Sequence, residues 1–89
     1  MSATQGKLDE AEPLYKEALA IDKKVFGDEH PNVAGDLNNL AVLLYHQQKY
    51  NEAKTYMEQA LNIRAKVLGP DHPDTKAAEG TLEVIKKRC

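Results

Sequence analysis

The segment Gly27-Asp28-Glu29-His30-Pro31 returns further along the chain as Gly69-Pro70-Asp71-His72-Pro73, with glycine, histidine and proline in one register. Shifting the chain against itself by that 42-residue interval extends the match in both directions. Residues 7–47 then lie over residues 49–89 with thirteen identical pairs. Among them are Glu10 with Glu52, Ala11 with Ala53, Ala18 with Ala60, Leu19 with Leu61, Ile21 with Ile63, Lys24 with Lys66 and Val25 with Val67. A period of this length marks stacked supersecondary units, each of which buries its apolar face only against its neighbours.

Within each unit apolar residues recur at spacings of three and four over stretches too long for a strand. The chain therefore reads as all-α, an alpha-alpha arrangement of four antiparallel helices in two helix-turn-helix units. The expected spans are about 8–26, 31–47, 50–68 and 73–88. In the first helix Ala11, Leu14, Tyr15, Ala18, Leu19, Ile21 and Val25 form the expected buried stripe. Asp9 with Glu12 resembles a capping box, and Gly27 is placed as a left-handed stop. Pro13 falls near the end of that helix's expected first turn, where a missing N–H has little consequence.

Pro31 and Pro73 open the second and fourth helices at the first helical position, which makes His30 and His72 boundary residues. Val33, Ala34, Leu37, Leu40, Ala41 and Leu44 are expected to face inward from the second helix. Ala53, Met57, Ala60, Leu61, Ile63 and Val67 do the same from the third, after a polar turn at Gln47-Gln48-Lys49. The fourth helix is different, because only Ala77, Ala78, Leu82, Val84 and Ile85 supply apolar surface. Glu79 and Glu83 stand where the second helix has Leu37 and Ala41. A carboxylate at a close-packed position is costly if buried without a partner. That helix is either the solvated end of the stack or one awaiting a neighbour.

At 89 residues, 42% apolar and 29% charged, the chain suits one small domain. Its net charge of −2 lacks the dense positive field that phosphate binding requires, so nucleic acid is excluded as an expected partner. The longest apolar run, residues 40–45, is far short of the roughly 20 residues that span a bilayer, and no membrane insertion or secretion leader is expected. The single cysteine, Cys89, makes no internal disulfide, which favours a reducing, cytoplasmic setting. It is either an inert thiol or an intermolecular crosslink in oxidising buffer.

His30, His46 and His72 do not converge as metal ligands, and no phosphate loop or nucleophile elbow is present. The expectation is a protein with no metal, no cofactor and no enzymatic activity.

Leu37, Leu40, Ala41, Leu44, Tyr50, Ala53, Met57, Ala60 and Leu61 together resemble the patterned positions of the tetratricopeptide repeat (TPR) family. The resemblance implies a TPR-type superhelix, with one complete repeat at about 34–67 and partial repeats on either side. It also places small residues, Ala18 and Ala60 among them, where backbones approach closely. Three runs are similar to kinesin light chains: Glu10-Ala-Glu-Pro-Leu-Tyr15, Leu37-Asn-Asn-Leu-Ala41 and Leu68-Gly-Pro-Asp-His-Pro73. That subtype implies an adaptor for cargo or partner peptides.

In this family the first helix of each pair lines the concave face, which implies groove positions at Gly35, Asn38, Asn39, Val42, Tyr45 and His46. Asparagine both donates and accepts, so Asn38 and Asn39 suit an extended peptide backbone held without regard to its sequence. They suit simple solvation or bonding to an adjacent helix as well. The equivalent surface of the fourth helix offers Gly80, Thr81, Val84, Lys87 and Arg88. Lys87 and Arg88 either clamp an acidic peptide or merely complement the helix dipole.

Residues 1–45 carry four basic and eight acidic groups, and residues 46–89 eight and six, so the halves differ in sign. Such polarity favours steering of a partner or head-to-tail stacking. Two functions follow: a protein-binding module whose concave face holds a peptide, or a structural segment that extends a solenoid or forms a homo-oligomer through its terminal helices.

Overall fold

The computed structural model describes residues 3–89, with side chains from Gly6 onward. Four helices follow one another: α1 (Ala3–Phe26), α2 (Pro31–His46), α3 (Tyr50–Val67) and α4 (Pro73–Lys86). Among the described residues there is no strand. α1 packs on α2, α2 on α3 and α3 on α4, an antiparallel zigzag that spreads to 42 × 31 × 18 Å.

Three turns make this path. Gly27 and Gly69 take positive φ of 90° and 97°, the left-handed conformation that a Cβ disfavours, and so end α1 and α3. The α2–α3 turn does the same with a non-glycine residue, Gln48 at φ 66°. There the Gln48 N–H donates to the Tyr45 carbonyl (2.9 Å) and the Lys49 N–H to the Leu44 carbonyl (2.9 Å), the two bonds of a Schellman stop.

The core is α2 sandwiched between α1 and α3. Val33, Ala34, Leu37, Leu40, Ala41, Leu43 and Leu44 of α2 meet Ala53, Met57, Ala60 and Ile63 of α3, with Leu19 from α1 and Ala78, Leu82 and Ile85 from α4. Thr75 is also fully buried, in the register that Val33 holds on α2, and its hydroxyl donates to the Gly69 carbonyl at 2.8 Å. That hydrogen bond satisfies the polar atom the interior would otherwise penalise.

Several expectations are corrected. α1 begins at Ala3, so Asp9 and Glu12 lie inside the helix and form no capping box. Instead Asp9 accepts a hydrogen bond from Gln47 at 3.1 Å, and Glu12 pairs with Lys16 (2.9 Å) and with Lys49 in the α2–α3 turn (3.2 Å). Pro13 is interior, and α1 continues through it. α2, α3 and α4 stop one or two residues earlier than expected, the ordinary ambiguity of a frayed last turn.

The larger correction concerns burial. Of the expected α1 stripe only Leu19 is buried and Ala11 half-buried, while Leu14, Tyr15, Ala18, Ile21 and Val25 are exposed. The periodicity is real, but the face it defines has no helix against it in this chain. Val67, Ala77 and Val84 are likewise exposed, and Leu61 is half-buried.

Candidate functional site

Proline at the start of α2 and α4 sets the direction of both helices, and the preceding histidine completes each start. His30 Nδ1 accepts from the Asn32 N–H and His72 Nδ1 from the Asp74 N–H, both at 3.0 Å. These imidazoles satisfy donors that a helix N-terminus otherwise leaves to solvent. Phe26 stacks on His30 with ring centroids 4.4 Å apart, which ties the end of α1 to the start of α2.

So oriented, the outward face of α2 carries Gly35, Asn39, Val42 and His46 on one line, because these positions are spaced by three and four. Two hollows flank this line. One, of about 250 Å³, lies toward α4 and is walled by Val42, Tyr45, His46, Thr81, Val84 and Ile85. The other, of about 230 Å³, lies toward α1 and is walled by Leu8, Tyr15, Asn39, Val42, Leu43 and His46. Val42 and His46 belong to both, so the hollows form one shallow trough across α2.

Tyr45 is held from two sides. Its ring meets Tyr50 edge-on at 5.4 Å and His46 at 5.8 Å. The Arg88 guanidinium lies 5.9 Å over the Tyr50 ring, and its hydrogen bond to Tyr45 holds it more firmly protonated than usual. Arg88 is exposed and walls neither hollow; it borders a separate crevice with Gln48, Lys49, Tyr50, Asn51 and Glu52, behind the Tyr45 that walls the α4-side hollow. Lys87, one residue earlier, is an exposed C-cap and walls neither hollow. Asn38 is half-buried on the α4 side of α2 and walls neither, whereas the exposed Asn39 walls the α1-side hollow.

Leu8, Tyr15, Leu43 and Ile85 line the trough although sequence reasoning did not name them as site residues. The spacing groups Leu14 and Tyr15 with the buried stripe of α1, whereas both are exposed and Tyr15 walls one hollow with Asn39. On α1 and α2 there is also a pair of carboxyls. Burial, then hydrogen bonding and repulsion from Asp22, push Asp36 up from 3.8 to about 6, and its Oδ2 is buried without a partner.

A separate crevice of about 270 Å³ lies among Lys23, Asp28, Gln59, Asn62 and Lys66, where Lys66 pairs with Glu29. Among the described residues no group of three or more His, Cys, Asp or Glu is placed to hold a metal ion. No helix of the described chain is long and apolar enough to cross a membrane.

Antiparallel helices repeating at a fixed interval, with a trough across one of them, define a helical-repeat protein. Two family models, each described as tetratricopeptide repeat, match residues 2–43 and 37–74. The chain belongs to the tetratricopeptide repeat family. Repeats of this family generally mediate protein–protein interaction and are generally not enzymes. No curated protein matches the chain.

Proposed function

We infer that this chain is a protein-interaction module that takes an extended peptide along the trough over α2, as a kinesin light chain-like adaptor takes a partner or cargo segment. One observation carries the reading: two mainly apolar hollows share Val42 and His46 and so form a continuous path from Tyr15 to Val84. Peptide side chains at alternate positions would enter the hollows, and Asn39 and His46 would bond the backbone between them.

Asn38, which walls neither hollow, would reach the ligand only at the α4-side edge of the trough. Arg88, and Lys87 beside it, favour a ligand with an acidic residue at the α4 end. In this reading the complete repeat spans 34–67, and α1 and α4 belong to the adjoining repeats. A reducing, cytoplasmic setting and a net charge of −2 fit a protein partner better than nucleic acid.

A screen of immobilised peptides tests this. Binding should be lost in Val42→Glu and weakened in the double variant Asn38→Ala with Asn39→Ala. Unchanged peptide capture by both variants would show that the trough is not the binding face.

The second reading, a structural segment that stacks or self-associates, is favoured by the exposed apolar stripe of α1.

A further inference from the structure

The repeat supplies its own measure of what each outer face lacks. The α3 positions Met57, Ala60 and Ile63 are buried, while Tyr15, Ala18 and Ile21, which precede them by one 42-residue interval, are exposed on α1. α1 therefore keeps the apolar face that α3 uses against α2. The other outer helix does not. Ala34, Leu37, Ala41 and Leu44 of α2 are buried, but the corresponding α4 residues are Lys76, Glu79, Glu83 and Lys86, all exposed. Stacking copies head to tail would press this charged face onto the apolar one, leaving buried charges unpaired.

We propose that the face of α1 is an isologous interface, closed by α1 of a second copy of this chain lying antiparallel across a two-fold axis. Ala11, Leu14, Ala18, Ile21 and Val25 are spaced three, four, three and four, the seam of a two-helix coil. Leu14 is 64% exposed, Ile21 53% and Val25 66%, so the seam is open from Leu14 to Val25, with Ala11 half-buried at its start.

Small and large residues alternate along it. An antiparallel partner that sets Leu14 against Ala18 of the partner subunit also sets Ile21 against Ala11 of the partner subunit. The same register brings Glu10 beside Lys24 of the partner subunit, and by symmetry twice, while both residues are exposed in this chain. It also sets Glu17 beside Glu17 of the partner subunit on the two-fold axis, so two attractive pairs stand against one repulsive one, and it is the side-chain sizes that select the alignment. A specific pair needs a total of about 1,000 Å² of buried surface or more, which the stripe must supply together with the stems of its flanking residues.

The proposal goes beyond peptide binding and does not depend on it. Sedimentation of the whole chain under reducing conditions, which keep Cys89 from crosslinking, tests it. The wild type should run as a dimer that stops at two copies, and Ile21→Glu should raise the dissociation constant at least a hundredfold with helicity unchanged by circular dichroism. Lys24→Glu should weaken the dimer several-fold, and adding Glu10→Lys to it should restore most of that loss.

A wild-type monomer up to about 200 µM, open-ended growth beyond two copies, or a dimer indifferent to Ile21→Glu would each overturn the proposal. Lack of rescue by the double charge reversal would overturn the antiparallel register. Peptide capture by the monomeric Ile21→Glu protein reads the trough separately.

Discussion

His30 and His72, one whole repeat apart, make the same bond: each Nδ1 accepts from the backbone N–H two residues on, at 3.0 Å. Removing either side chain leaves that donor to solvent and loosens the first turn of α2 or α4. His30→Ala and His72→Ala should each cost about 0.5–2 kcal/mol in chemical denaturation, the range of other N-cap losses. His30→Ala should be the more damaging, since it also removes the Phe26 stack. Asparagine at either position should restore most of the loss, and an asparagine no better than alanine would refute the capping role.

Gln48 holds a positive φ of 66° in the Schellman turn between α2 and α3, where a side chain is strained. Gln48→Gly should therefore stabilise the chain by about 0.5–1 kcal/mol, in spite of the greater freedom glycine has when unfolded. A fall in melting temperature would argue that Gln48 holds the turn through its side chain.

Asp36 is raised to about 6, chiefly by burial and then by Asp22. The folded chain thus keeps this proton to a higher pH than the unfolded chain, and folding takes up a proton between about pH 4 and pH 6. Its contribution is present below the unfolded value and is lost as pH rises through 6, leaving a strained charge at neutral pH. Glu12, held below the usual carboxylate range by Lys16 and also by Lys49, acts at lower pH with the opposite sign. Asp36→Asn should flatten the pH 4 to 6 slope and add on the order of 1 kcal/mol at pH 7, after discount for solvent screening. Urea titrations at pH 4, 5, 6 and 7 would measure both effects.

Ala60 is fully buried. Ala60→Leu should cost about 1–3 kcal/mol through overpacking. Its repeat equivalent Ala18 is exposed, so Ala18→Leu should leave the stability of the dilute protein within about 0.5 kcal/mol. Equal losses at both positions, read from thermal melts, would mean that α1 is covered in solution even at low concentration.

Val42 borders both hollows. A carboxylate there is half-exposed in the free protein, so Val42→Glu should change stability by less than about 1 kcal/mol while peptide capture falls tenfold or more. Loss of fold together with binding would assign Val42 to the core instead.

Much of this was legible beforehand, for physical reasons that differ by residue. Gly27, Gly69, Pro31 and Pro73 act through their own backbone, so their meaning is local and the helix limits follow from them to within a few residues, except at the start of α1. The inward face of α2, and that of α3 apart from the half-buried Leu61 and the exposed Val67, were legible because both helices are covered on the side their periodicity names. Tyr15 was not, since the same spacing describes a residue under a neighbour and a residue facing solvent.

By itself the sequence determined the 42-residue repeat, the four helices and the positions that can pack closely, because period, proline and glycine act over a few residues. Only the tertiary structure decided which of two like faces is covered. Burial depends on what lies across the gap, and no periodicity contains that. It turned Tyr15 and Asn39 toward one hollow, brought Arg88 onto Tyr45 and Tyr50, set Asp36 beside Asp22, and left the stripe from Leu14 to Val25 open to solvent.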